Sequence, residues 1–315
     1  MILVAGEALV DLVVSDWAIL PSPGGGPYNT ARALGRLGAS VGFLGRLSED
    51  YFGRMLANVL AESGVSLDYT TRGPEPSALA IAHRSTDGEA AYSFYLGGTT
   101  FAAMGEASFP APRADVRALY AGSIALALEP SASALEALVE RESDRRIVVL
   151  DPNVRAAAIT DHDGFRARFE RCCRAAHIVK LSASDASWLF PDLGHDEVAT
   201  RLLDLGPDLV VMTLGADGAI ASTHLARSRV RSQRIDLADT IGAGDAFGAG
   251  LLVALEERGV LARGRLAVLA DSDLEYVLGF ASAVAALTCA RSGAETPTLS
   301  EVAELLNGAA PAAKS

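Results

Sequence analysis

Short apolar runs and longer amphipathic runs take turns along this chain of 315 residues. The apolar runs, at 2–5, 40–44, 118–122, 147–150, 177–181 and 208–213, are β-rich and bounded by turn residues, which predicts short buried strands. Between them, 50–63, 131–142 and 164–174 carry apolar residues at helical spacing. Strand–helix alternation predicts an α/β fold, a mostly parallel sheet covered by helices on both faces. Further helices are expected at 28–37, 244–258 and 272–290, and Thr298-Leu-Ser-Glu301 is a capping box opening a last short one.

One region breaks the rhythm. The β-rich runs 77–84 and 90–96 are joined by Ser85-Thr-Asp-Gly-Glu89, a hairpin signal, and 9–14 is also β-like. These predict a small accessory sheet, built from about 9–20 and 72–100, lying across one edge of a single domain 1–307. Ligands bind at the ends of parallel strands in such folds, so this sheet can act as a lid. The small-residue tail 308–315 is expected to be disordered.

Half of the chain is apolar, yet no apolar run reaches the roughly 18 residues of a membrane span. The N-terminus lacks a basic lead and carries Glu7 and Asp11, so it reads as a first core strand rather than a signal peptide. Cys172, Cys173 and Cys289 have no zinc or redox spacing, in keeping with a cytoplasmic protein. A net charge of −12 argues against nucleic acid as a partner, though it leaves room for a small anionic ligand. The only lysines are Lys180 and Lys314.

The densest chemistry lies at Asp239-Thr-Ile-Gly-Ala-Gly-Asp245-Ala-Phe247. A polar strand end, RIDLAD, is expected to run into a Gly-Ala-Gly turn that opens a buried helix. Such a turn leaves backbone N–H groups convergent and unpaired, an anion site. An acid inside it, Asp245, needs a task of its own; a base beside a phosphate fits.

Other motifs are weaker. Gly24-Gly-Gly-Pro-Tyr-Asn29 lets backbone approach a ligand and projects Asn29 from a first helical turn, or is an ordinary Gly-rich helix start. Asp11 can accept hydrogen bonds from ligand hydroxyls, or sit solvated on a half-exposed strand. Asp151-Pro-Asn-Val-Arg155 is turn chemistry at a strand end, where Asn153 and Arg155 could face substrate or phosphate. In Lys180-Leu-Ser-Ala-Ser-Asp185, Ser182 and Asp185 could touch a phosphate or a metal-bound water; equally they suit a helix N-cap and its first turn. Thr213-Leu-Gly215-Ala-Asp-Gly218 could bring a flat ligand close to the backbone, or be a plain turn. There is no GxxxxGK[ST] and no nucleophile elbow, and the missing third glycine disfavours a dinucleotide-binding dehydrogenase.

The order of these motifs resembles the ribokinase-like (PfkB-type) carbohydrate kinases over nearly the whole chain, with DTIGAGD the most specific piece. The resemblance implies a three-layer α/β/α kinase with a β-sheet lid, ATP and magnesium as cofactors, and in some members potassium. It implies Asp245 as catalytic base and the amides of Gly242, Ala243, Gly244 and Asp245 as the γ-phosphate anion hole. Asp11, Gly25, Gly26 and Asn29 match sugar-binding positions, with Asn153 and Arg155 beside them. Lys180, Ser182, Thr213, Gly215, Gly218 and Ser282 fall on the nucleotide side. Asp185 takes the place of a residue acting on the metal through water, and Asp239 and Gly293 that of a monovalent-cation loop.

Two departures stand out. The family's Asn-x-x-Glu is Ser182-x-x-Asp185 here, and the position after the double glycine is Pro27 rather than lysine. The expected activity is transfer of the γ-phosphate to an unphosphorylated sugar, fructose first, with 2-keto-3-deoxygluconate kinase or ribokinase as alternatives and a non-catalytic sugar- or nucleotide-binding regulator as a reading of another class. The expected partners are the sugar and ATP, with no nucleic acid, no membrane, and a homodimer through the lid.

Overall fold

Along the first strand, Ile2 and Val4 enter one apolar core while Leu3 and Ala5 enter another, so this strand is the middle of a sandwich. The computed structural model describes residues 1–15, 18–84 and 90–308. The elements begin with β1 (Ile2–Ala5), β2 (Leu9–Ser15), β3 (Ala18–Gly24), α1 (Gly26–Arg36), β4 (Val41–Leu44), β5 (Arg46–Ser48) and α2 (Tyr51–Glu62). Then come β6 (Val65–Ser66), β7 (Thr71–Gly73), β8 (Leu79–Arg84), β9 (Ala90–Tyr95), β10 (Ala118–Gly122), α3 (Ser131–Glu142), β11 (Ile147–Asp151) and α4 (His162–Ala175). The last third holds β12 (Ile178–Ser182), α5 (Ala183–Leu189), α6 (His195–Leu205), β13 (Leu209–Thr213), β14 (Ala219–Ser222), β15 (Arg227–Val230), α7 (Ala243–Glu257), α8 (Asp271–Cys289) and α9 (Leu299–Leu306).

The main sheet has the order β15-β14-β13-β12-β11-β10-β1-β4-β6. From β6 to β13 neighbours run parallel, and β14 and β15 add antiparallel at the far edge. Helices α1, α2, α7, α8 and α9 bury their apolar faces in one core; α3, α4, α5 and α6 bury theirs in the other. The result is the expected ribokinase-like α/β/α sandwich. The chain leaves β1 toward β4 and β6 on one side and fills β10 to β13 on the other. That reversal opens a crevice at the carboxyl ends of β1 and β10, where ligands bind in open α/β sheets.

A second sheet has the order β3-β2-β8-β9. Strand β3 runs past the expected limit of about 20 to Gly24 despite Pro21 and Pro23; it is tolerated as an edge, where the missing N–H groups cost no ladder bond. Asp50 caps α2 through Gly53 N–H and also accepts from Ser77 N–H, fixing the approach to β8. The predicted turn 85–89 and most of the tail, 309–315, lie outside the described residues.

Two expectations need correction. RIDLAD is not a strand: 231–240 has no regular structure, and the N–H groups of Ala238 and Asp239 both donate to the carbonyl of Cys289 at the end of α8. The helix expected at 28–37 begins at Gly26, with Pro27 in its first turn. No helix among the described residues is long and apolar enough to cross a membrane.

Candidate active site

Helix α7 starts where Gly242 takes a left-handed conformation (φ 74°) against Ala294, whose Cβ would lie 2.5 Å from any Cβ at that position. The glycine permits the reversal that aims the first-turn amides outward. Those of Gly244 and Asp245 have no acceptor four residues back, while that of Ala243 leans toward the Thr240 carbonyl at 3.3 Å. Asp245 is buried at this turn. Its Oδ2 accepts from Asn29 Nδ2 at 3.0 Å and its Oδ1 from Asn153 Nδ2 at 3.2 Å. Burial pushes the Asp245 pKa up to about 7; the Asn29 hydrogen bond and the charges of Lys180 and Arg155 oppose that rise.

Three elements thus meet on one carboxylate, although their residues are far apart in sequence. Asn29 comes from the first turn of α1, and its Oδ1 is buried with no partner among the described residues. Asn153 follows β11 with φ 36°, and its own Oδ1 accepts from exposed Arg155 at 2.7 Å. A Cβ on Gly26 would stand 2.5 Å from Asn153 Nδ2 and 3.4 Å from Asp245 Oδ1, so Gly26 keeps this space open. Asp11 reaches the same region from β2; a Cβ on Gly24 would lie 2.1 Å from its Oδ2, and burial lifts its pKa to about 6. Glu7, not anticipated as a site residue, is buried just after β1 and accepts from the Ala125 N–H, with burial raising its pKa.

On the other side of the α7 turn lies a cleft of about 1670 Å³. Thr213, Gly215 and Gly218 form one wall, Ser282 and Cys289 another, and Ala243 and Gly244 the inner end. Gly218 (φ 93°) packs so closely on β15 that a Cβ would come within 1.9 Å of the Val230 carbonyl. The cleft and the Asp11–Asn29–Asn153 region therefore flank one turn. A phosphoryl donor and a hydroxyl acceptor can meet there.

Other predicted residues serve differently. Ser182 lines the cleft but also caps α5 in a capping box with Asp185. Both Asp185 oxygens are engaged, Oδ2 by Ser182 and Oδ1 by the Val154 N–H at 2.8 Å. Asp185 thus braces the turn that carries Asn153, and no cluster of metal-binding side chains is found among the described residues. Asp239 accepts from the N–H groups of Ile241 and Gly293, a staple joining that loop to the α7 turn. Lys180 does not line the cleft. It is buried beneath the turn and ion-paired to Asp151 at 2.8 Å. Asp151 and Tyr120 were missed as partners of the site; Asp151 stood in a turn motif, and nothing in the sequence singled out Tyr120.

Residues 18–301 match the profile of the pfkB family carbohydrate kinases. A fructokinase of Rhizobium leguminosarum bv. trifolii is 37% identical over 279 residues, covering 87% of this chain and 85% of that protein. The solved structure of a Xylella fastidiosa fructokinase with bound ATP superposes with a TM-score of 0.88 at 29% identity, covering 97% of this chain and 98% of that one. A Vibrio cholerae O395 fructokinase in a fructose-, ADP- and calcium-bound form gives 0.85 at 27%, with 97% and 98% coverage. A profile spanning most of the sequence, on this sandwich and around this turn, shows that the chain belongs to the pfkB family carbohydrate kinases, phosphotransferases that act on a sugar hydroxyl.

Proposed function

We propose that this kinase transfers the γ-phosphate of ATP to a hydroxyl of fructose. The observation that carries the reading is the buried Asp245 carboxylate, held by Asn29 and Asn153 at the amide-bearing start of α7. The fructokinase relatives supply the choice of sugar.

In this reading Asp11, Asn29, Asn153 and the open backbone at Gly25 and Gly26 hold the sugar, and Arg155 lies at its rim. The cleft wall at Thr213, Gly215, Gly218 and Ser282 takes the nucleotide. Magnesium arrives as part of the Mg-ATP substrate, since the Asp185 oxygens are already used within the protein. The first-turn amides stabilise charge on the phosphoryl group in flight, where positioning and electrostatics dominate. Asp245 takes the proton of the attacking hydroxyl. The small sheet, which contributes Asp11, closes as a lid and excludes water. Two copies pair through the small sheet, where Val13, Val14, Ile19 and Leu20 are exposed.

ADP release measured across fructose, ribose, 2-keto-3-deoxygluconate and a nucleoside tests the reading. Fructose is expected to give the highest kcat/KM, and Asp245→Ala to lower its kcat by roughly 10²–10⁴-fold with ATP affinity nearly intact. No turnover with any acceptor, alongside tight binding, would mark a regulator instead.

A further inference from the structure

Among the described lysines and arginines, Lys180 alone is lysine, and it is 3% exposed in the middle of β12. Its Nζ donates to Asp151 Oδ2 at 2.8 Å, and the buried Tyr120 hydroxyl donates to the same oxygen at 2.5 Å. A Cβ on Gly244 would lie 3.4 Å from that Nζ, so the ammonium rests against the α7 turn one residue before Asp245. β10, β11 and β12, side by side in the sheet, thus supply one side chain each to a buried cluster under the turn. Burying an ion pair is a poor way to gain stability, because desolvation cancels much of the attraction. Lysine presents a compact point charge on a flexible stem, unlike the planar guanidinium that supplies the other described side-chain cations of this kind.

We propose that Lys180, held in place by Asp151 and Tyr120, is a positioning residue for phosphoryl transfer. Its ammonium is a fixed positive charge beneath the Gly244–Asp245 turn that keeps the Asp245 carboxylate in its proton-accepting form. The inference rests on the reading of Asp245 as base. As the acceptor oxygen bonds to the γ-phosphorus, the bond from that phosphorus to the bridging oxygen breaks, ADP leaves with its electron pair, and the hydroxyl proton passes to Asp245.

The groups facing Asp245 act in different senses. Lys180 from β12 and Arg155 from the loop after β11 favour its charge, as does the Asn29 amide from α1. Asp151 from β11 opposes it, more weakly than Lys180 assists, and the Asn153 amide donates to it. Tyr120 from β10 stays neutral, its pKa raised by burial and by Asp151. Arg155 is exposed and screened by solvent, which leaves Lys180 as the buried cation.

The pH dependence of kcat/KM for the sugar, with KM for ATP followed in parallel, tests this in Lys180→Met and Asp151→Asn. In Lys180→Met the acid limb should move up by about one pH unit, a roughly tenfold loss on that limb that recovers toward pH ~9. In Asp151→Asn, which leaves the ammonium unopposed, the limb should move down. KM for ATP should stay within about twofold in both, since Lys180 lies off the cleft wall. Lost packing would instead depress the rate at every pH in both variants. Should Lys180→Met fail to fold with Asp151 left unpaired, the double variant Lys180→Met/Asp151→Asn replaces it, and its limb should lie above that of wild type. Limbs that coincide with wild type, or single variants that shift the same way, overturn the inference. A wild-type enzyme that turns over no sugar refutes the functional reading instead.

Discussion

Asp245 combines a buried carboxylate with two amide donors, and its ionisation should be visible in both rate and stability. Its pKa is about 7 in the fold against an ordinary 3.8. As the proposed base it must be ionised, so kcat/KM should rise with pH through about 7. The stability effect has the opposite sense. A raised folded pKa means that the native state binds the proton more tightly than the unfolded chain, so stability falls as pH climbs from 3.8 to about 7. Asp245→Asn should therefore be more stable than wild type at pH ~8, by on the order of 1–4 kcal/mol, with the gain shrinking toward zero near pH ~4. Denaturant unfolding at the two pH values checks it; a variant no more stable at high pH would show that the carboxylate is better solvated than its burial implies. The sequence announced this acid, since it stands in a glycine turn ahead of a buried helix. It could not announce Asn153 as partner, because Asp-Pro-Asn is also an ordinary turn and the contact spans 92 residues.

Segments that look alike in sequence divide according to what they cap. Ser182 and Asp185 invited a metal-relay reading, yet the aspartate is short enough to fold back on its own helix start and onto Val154. Asp185→Ala should loosen the 151–155 turn and withdraw Asn153 from Asp245. The expected result is a drop of roughly tenfold or more in kcat with KM for ATP little changed; a rise in KM for magnesium-ATP with kcat preserved would restore the metal role. Elements with strong periodicity, such as α3 and β10, stood at their predicted bounds. Short or proline-bearing ones did not. β3 is held by pairing with β2 despite its prolines, and RIDLAD is drawn out of a strand by bonds to the end of α8, two tertiary effects that no local pattern encodes.

At the scale of the molecule, strand–helix alternation sufficed for the α/β/α sandwich. The crevice, by contrast, depends on where the strand order reverses, which only the pairing of β1 with both β4 and β10 reveals. The small sheet leaves Ile19 and Leu20 about 60% exposed. Sedimentation at micromolar concentration should show a dimer that Ile19→Lys/Leu20→Lys splits into monomers; a monomeric wild type would remove the small sheet as an interface. The irregular run 231–240 has a wider consequence. It supplies Arg231, Gln233 and Leu237 to the cleft, is tethered to α8, and continues without a break into the Gly242 turn. With the cleft assigned to the nucleotide and the α7 turn to phosphoryl transfer as proposed, adaptation to a different phosphoryl donor must proceed through the same stretch of chain that sets turnover, and the two traits will drift together. Acceptor preference, spread over three separate elements, is free to diversify on its own.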